Sequence, residues 1–194
     1  MTKMKLEDRI ALHHKMAEAY RDGYLLGVHS GHAEGVHSGE FYELWQFTDD
    51  AVYLSPYFTG GQLILLRDVL GPGTEMVTTM EARAYSVKFP EWRPVEFKVW
   101  AADNGFTMRV RWEGTTKDGK TMGFYSIGFV ETNDEGKITR WETHVNDEEY
   151  GRFLDVPIGV HGPFQGADYV EALTRVLKDS GQWDEIAATF GFNE

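Results

Sequence analysis

Between Pro94 and Asn146 apolar and polar residues alternate closely, and on either side of that span the apolar residues recur every three to four positions. Close alternation predicts strands, and the longer spacing predicts amphipathic helices. Four strands are expected, at Val95–Ala101, Phe106–Thr116, Thr121–Glu131 and Lys137–Asn146. Asp103-Asn104-Gly105, Lys117-Asp118-Gly119 and Asn133-Asp134-Glu135-Gly136 join them as hairpin signals, each with a glycine able to take a positive φ.

Before this meander, Leu6, Ile10, His13 or His14, Ala17 and Tyr20 mark one buried face of a helix over Leu6–Asp22. Tyr24, Val28 and His32 continue it at i+4 steps, so a long or broken helix toward His37 is expected. The repeat GVHSG at 27–31 and 35–39 has a period of eight, which matches no solenoid class and reads as local. A second helix is expected over Glu40–Phe47, a strand over Ala51–Ser55 stopped by Pro56, a short strand over Gln62–Leu66 and a third helix from Glu75 to Lys88. After the meander, Asp147-Glu148-Glu149 loads acid onto the first turn of a short helix, the sign its dipole favours, and Asp155-Val156-Pro157 is expected to stop it. Val170, Leu173, Val176 and Leu177, then Trp183, Ile186 and Phe190, mark two short amphipathic helices in the tail. Helices followed by a long meander give an α+β fold with helices on one face of a curved antiparallel sheet.

The 194 residues suit one domain with a sizeable core. A formal net charge of −12 without a basic run argues against nucleic acid as partner. The absence of cysteine excludes disulfides, thiolate catalysis and cysteine-based metal sites. MTKMKLEDRIALHH lacks the apolar stretch of a signal peptide and no run is long enough to span a membrane, so no membrane partner and a cytoplasmic location are expected. Phe, Tyr and Trp make up 14% of the chain, enough both for a core and for a pocket that takes a flat ring.

The order helix, helix, FTDDAVYLSP, helix, meander and GKITRW resembles the SnoaL-like branch of the NTF2-like superfamily, over roughly residues 38 to 157. The resemblance implies a cone, in which the curved sheet wraps the N-terminal helices around a deep pocket. It also implies assembly as a homodimer or higher homo-oligomer. On this reading residues 1–157 form the cone and 158–194 a helical extension that packs on the same domain or on a partner subunit. Compared with limonene epoxide hydrolases, Tyr53 falls on a water-positioning tyrosine, Arg109 on an arginine and Trp141 on a pocket tryptophan. Arg111 and Thr143 stand where the two catalytic carboxylates should be, which argues against epoxide hydrolysis. Ser55, before Pro56, stands where ketosteroid isomerases carry their proton-shuttling aspartate. His32 occupies the place of a first-helix tyrosine that enters the pocket in other members.

Fold alone does not settle activity. The expected catalytic set is His32, Tyr53 and Arg109, with His29, Ser55, Arg111, Tyr125, Trp141 and Thr143 binding substrate, and with no metal and no cofactor. Arg109 and Arg111 share one strand face, which either enters the pocket or lies outside while Met108, Val110 and Trp112 point inward. His144 lies on the face of its strand opposite Trp141, which suits a surface or an interface. These residues suit a lyase acting on a phenolic aromatic small molecule. A para-phenol can itself expel a benzylic hydroxyl to give a quinone methide, leaving the protein to stabilise the phenolate and to move a proton. Loss of water or formaldehyde from a lignin-derived diarylpropane is the expected example. A binding protein without catalysis and a polyketide-cyclase-type isomerase are the alternatives.

Overall fold

The computed structural model describes residues 4–30, 43–59, 62–65, 74–159 and 166–191, and only the backbone at 24–30, 58–59, 64, 74–78 and 166–167. Helix α1 spans Leu6–Ser30, eight residues beyond Asp22, as the continued i+4 spacing allowed. Glu43 and Leu44 are helical, but the chain leaves the helix there. Strand β1 already begins at Phe47 and runs to Leu54, so the second helix ends earlier, and the first strand begins earlier, than their residues suggested. A single turn, α2, spans Pro56–Thr59, and β2 spans Ile64–Leu65. Helix α3 spans Thr74–Lys88.

The meander follows as β3 (Arg93–Ala102), β4 (Gly105–Thr115), β5 (Thr121–Thr132) and β6 (Ile138–Val145), each within a few residues of expectation. Its last turn shows how the sequence sets the geometry. Asn133 accepts the Lys137 N–H on its side chain at 2.9 Å, and Gly136 takes φ 80 under Leu12 of α1. A Cβ on Gly136 would come within 2.6 Å of the Leu12 side chain, so glycine is needed there for both backbone and space.

The sheet is open and curved, with strand order β2-β1-β6-β5-β4-β3. It is not antiparallel throughout: β1 runs parallel to β6, pairing Tyr53 with Trp141. The reason is topological. The connection from β1 to β6 passes through α3 and the whole meander, the long crossover that a parallel pair requires. On β4, Phe106, Met108, Val110 and Trp112 are buried while Thr107, Arg109, Arg111 and Glu113 are on the opposite face. This alternation defines an inner face, toward the helices, and an outer face.

Helix α4 spans Asp147–Ile158. Asn146 caps it by accepting the Glu149 N–H at 2.9 Å. Pro157 does not stop it; the helix continues one residue further and ends at Gly159, φ 65. Pro157 falls in the last turn, where it forfeits a single backbone bond, and both it and Ile158 are buried against the core. Helix α5 (Gly166–Asp179) packs on α3 and α4, and α6 (Trp183–Phe190) packs on α5. Tyr169, Leu173, Leu177 and Ile186 of the tail thereby join the same buried cluster as Met16 of α1 and Phe153 of α4.

Candidate functional site

The β1–β6 pairing places Tyr53 beside Trp141 on the inner face, with ring centroids 5.2 Å apart. Side chains two residues apart on a strand share a face, so Thr143 joins Trp141 and Ser55 joins Tyr53. Tyr53 and Ser55 are almost wholly buried, and the hydroxyls of Thr143 and Ser55 lie close enough to that of Tyr53 to favour its ionised form. Burial pushes the Tyr53 phenol up to about 12, against the opposing pull of those two hydroxyls. At neutral pH it is therefore a protonated donor. Tyr20 and Trp45 close the other edges of the Trp141 ring, at 6.3 and 5.3 Å.

Facing this group is a carboxyl that no sequence pattern brought forward. Glu81 lies on α3 among Thr79, Met80, Ala82, Ala84 and Tyr85, each at most 1% exposed. Residues at these positions point all around the helix, so α3 passes through the interior and carries Glu81 with it. Burial pushes the Glu81 carboxyl up to about 7, opposed by a hydrogen bond donated by the Tyr169 hydroxyl. The side chain nevertheless keeps part of its surface accessible. Tyr169 comes from α5, and its hydroxyl is 2.6 Å from that of Tyr85, which is 3.3 Å from that of Tyr150 on α4. Burial raises all three phenols well above their ordinary value, so all are neutral hydroxyls at physiological pH. The charge of Glu81 reaches Tyr53 as well as these three. One carboxyl titrating near neutrality is thus ringed by phenols from four separate elements.

The expected site residues divide three ways. Tyr53, Ser55, Trp141 and Thr143 come together on the inner face. Arg109, Arg111 and Tyr125 are corrected: they lie on the outer face of the sheet, away from that group, because Met108, Val110 and Trp112 take the buried positions of β4. Arg109 there pairs with Glu96 at 2.6 Å, and both guanidiniums lie over the Tyr125 ring, at 5.3 and 4.9 Å. His144 is on the same outer face, 3.0 Å from Glu142 and edge-on to Phe129. His32, and the side chain of His29 on α1, lie outside the described residues. Among the described residues, no helix is long and apolar enough to cross a membrane, and no group of three or more histidines and carboxylates is placed to hold a metal.

Glu81 was missed because an acidic residue in TEMVTTMEARAYSVK reads as a solvated charge. The available signal was the ring of small and apolar residues around it, too wide for a one-sided stripe.

No protein-family profile matches the chain, and no curated protein matches it. Solved structures similar to it include a phenazine biosynthesis-related protein from Pseudomonas aeruginosa, 17% identical over 81% of this chain and 90% of that one, with a TM-score of 0.46. An NTF2-like protein of unknown function from Cytophaga hutchinsonii is 12% identical over 70% of this chain and 97% of its own, at a TM-score of 0.43. A protein with a ketosteroid isomerase-like fold from Catenulispora acidiphila, in complex with trimethylamine, is 12% identical over 77% and 91%, at 0.37. At such low identity and partial superposition, none of these likenesses bears on what this chain does.

Proposed function

We propose that the chain is an enzyme that moves protons on an aromatic small molecule, with Glu81 as its acid and base and Tyr53 as a neutral donor beside it. The observation that carries this reading is the Glu81 carboxyl, held near pH 7 inside an aromatic interior. A group whose pKa matches the working pH holds both protonation states in comparable amounts, the best compromise between giving and taking a proton. The histidine and the arginine expected to share this work are not needed for it.

The finer proposal is a lyase on a phenolic diarylpropanediol. In the first step protonated Glu81 gives its proton to the benzylic hydroxyl. The C–O bond breaks with electrons supplied by the para-phenolate, and water leaves a quinone methide. In the second step the resulting carboxylate takes the proton of the neighbouring primary alcohol. Its C–C bond breaks, formaldehyde leaves, and the electron pair restores the phenolate as a stilbene. Water and formaldehyde are the only losses, Glu81 ends protonated as it began, and no oxidant is consumed. A carboxyl that must act first as acid and then as base is best served by a pKa near neutrality.

The test is incubation with phenolic diarylpropanediols, following stilbene absorbance and trapped formaldehyde, for the unsubstituted protein and for Glu81→Gln. Turnover that Glu81→Gln removes supports the reading. Turnover that survives in Glu81→Gln overturns the role of Glu81. No turnover, with ring-containing ligands still raising the melting temperature, replaces the enzyme by a binding protein.

A further inference from the structure

Four of the tryptophans are buried, and their indole N–H groups permit a direct comparison. Trp45 donates to the Met16 carbonyl at 2.7 Å, Trp92 to the Ala82 carbonyl at 3.3 Å and Trp112 to the Ser126 hydroxyl at 2.8 Å. Trp141 is 9% exposed, its Nε1 is buried, and among the described residues that nitrogen has no acceptor. A buried donor without a partner is destabilising, and each such group calls for an explanation. The surrounding residues could readily have spared it: a phenylalanine would fill much of the same aromatic nest without any polar atom. The ring is also firmly placed, with Tyr20, Trp45 and Tyr53 packed against it at 6.3, 5.3 and 5.2 Å.

We infer that the Trp141 N–H is a specificity-determining donor, reserved for an oxygen acceptor (ether, carbonyl or phenolate) on an aromatic ligand. This deepens the reading above and depends on it only for the location of the ligand, since Trp141 pairs in register with Tyr53. Tyr53 has the hydroxyls of Thr143 and Ser55 beside its own, whereas the Trp141 N–H has no acceptor among the described residues. The donor selects for oxygen on the ring: an apolar isostere would seal the N–H away from water and leave it unpaired.

The test compares binding of 2-methoxynaphthalene, which carries an acceptor, with that of 2-ethylnaphthalene, which has a similar shape and none. Equilibrium dialysis is performed on the unsubstituted protein, Trp141→Phe and Glu81→Gln. The unsubstituted protein should prefer the ether by about tenfold, as expected for one neutral hydrogen bond. Trp141→Phe should bind both alike, and Glu81→Gln should keep the preference even where it turns nothing over. Equal affinity of the unsubstituted protein for the two probes overturns the inference, as does binding of neither. A preference that persists in Trp141→Phe, or an equal weakening of both probes, reduces Trp141 to a packing residue and also overturns it. Should Trp141→Phe not fold, the indole N–H resonances of the unsubstituted protein decide: the ether, and not the hydrocarbon, must shift one of them downfield. Because binding is what is read, a retained preference without turnover removes the acid–base reading and leaves the donor in place.

Discussion

His13 and Glu81 are both ionisable side chains that helices carry into the interior, and the protein treats them in opposite ways. His13 is fully buried with both ring nitrogens engaged, Nδ1 donating to the Ala102 carbonyl and Nε2 accepting from the Thr132 hydroxyl, each at 2.8 Å. Burial lowers its pKa despite the bond to Ala102, so it is a neutral fixture. Beside it Arg9, also buried, reaches Asp103 at 3.2 Å and Asp134 at 3.0 Å. Glu81 has a single described donor, Tyr169, keeps some accessible surface and titrates near 7. A polar group whose bonds are all made within the fold has nothing left for a ligand. A group left partly unsatisfied, at a pKa useful for proton transfer, is where chemistry belongs.

That contrast can be broken most decisively at Glu81. Glu81→Gln should lower turnover of a phenolic diarylpropanediol by a factor of about 10² to 10⁴, the range of general acid–base catalysis, with the far-ultraviolet circular dichroism unchanged. His13→Ala should do the reverse. It strands the Thr132 hydroxyl and the Ala102 carbonyl beside a cavity, which costs about 2–4 kcal/mol in urea unfolding, while binding of 2-methoxynaphthalene stays within about twofold.

The pH dependence of stability sharpens the same comparison, because the two groups have opposite signs. Between 4.5 and about 7, folded Glu81 retains a proton that the unfolded chain releases, so its contribution falls as pH rises. Below 6.5 the unfolded chain protonates His13 while the folded one resists, so the contribution of His13 falls as pH drops. The gain in stability of Glu81→Gln over the unsubstituted protein should therefore grow between pH 4 and pH 8, by on the order of 3 kcal/mol. Urea midpoints at the two pH values measure it, and a pH-independent difference would mean that Glu81 titrates normally.

The smallest effect is expected on the outer face. Arg109→Ala removes an ion pair with Glu96 that is about half exposed, and should cost under about 1 kcal/mol with no change in turnover. A large loss of rate there would return the arginine to the site.

The meander was legible because three turn signals and period-2 alternation agree, and α1 because its spacing repeats over many turns. The face of Arg109 and Arg111 was not, since Met108, Val110 and Trp112 compete with them through a register that only strand pairing decides. Tyr53, Trp141 and Thr143 were legible as neighbours, but the parallel pairing that joins them was not, because its partners Tyr53 and Trp141 are 88 residues apart. Pro157 was read by its local rule, which tertiary packing overrode. Glu81 escaped because its signal, small and apolar residues on every side of α3, is spread over several turns and attaches to no single position.

The anchors of α1 also say something about the order of assembly. His13 meets Ala102 and Thr132 across 89 and 119 residues, and Arg9 meets Asp134 across 125. Contacts that distant bear the full entropy of closing the intervening chain before they return anything, and they slow folding. A helix can form at α1 soon after its residues are synthesised, but the partners of His13 and Arg9 come together only once the strands of the meander have paired. Helix α1 is made before the meander and locked only after it.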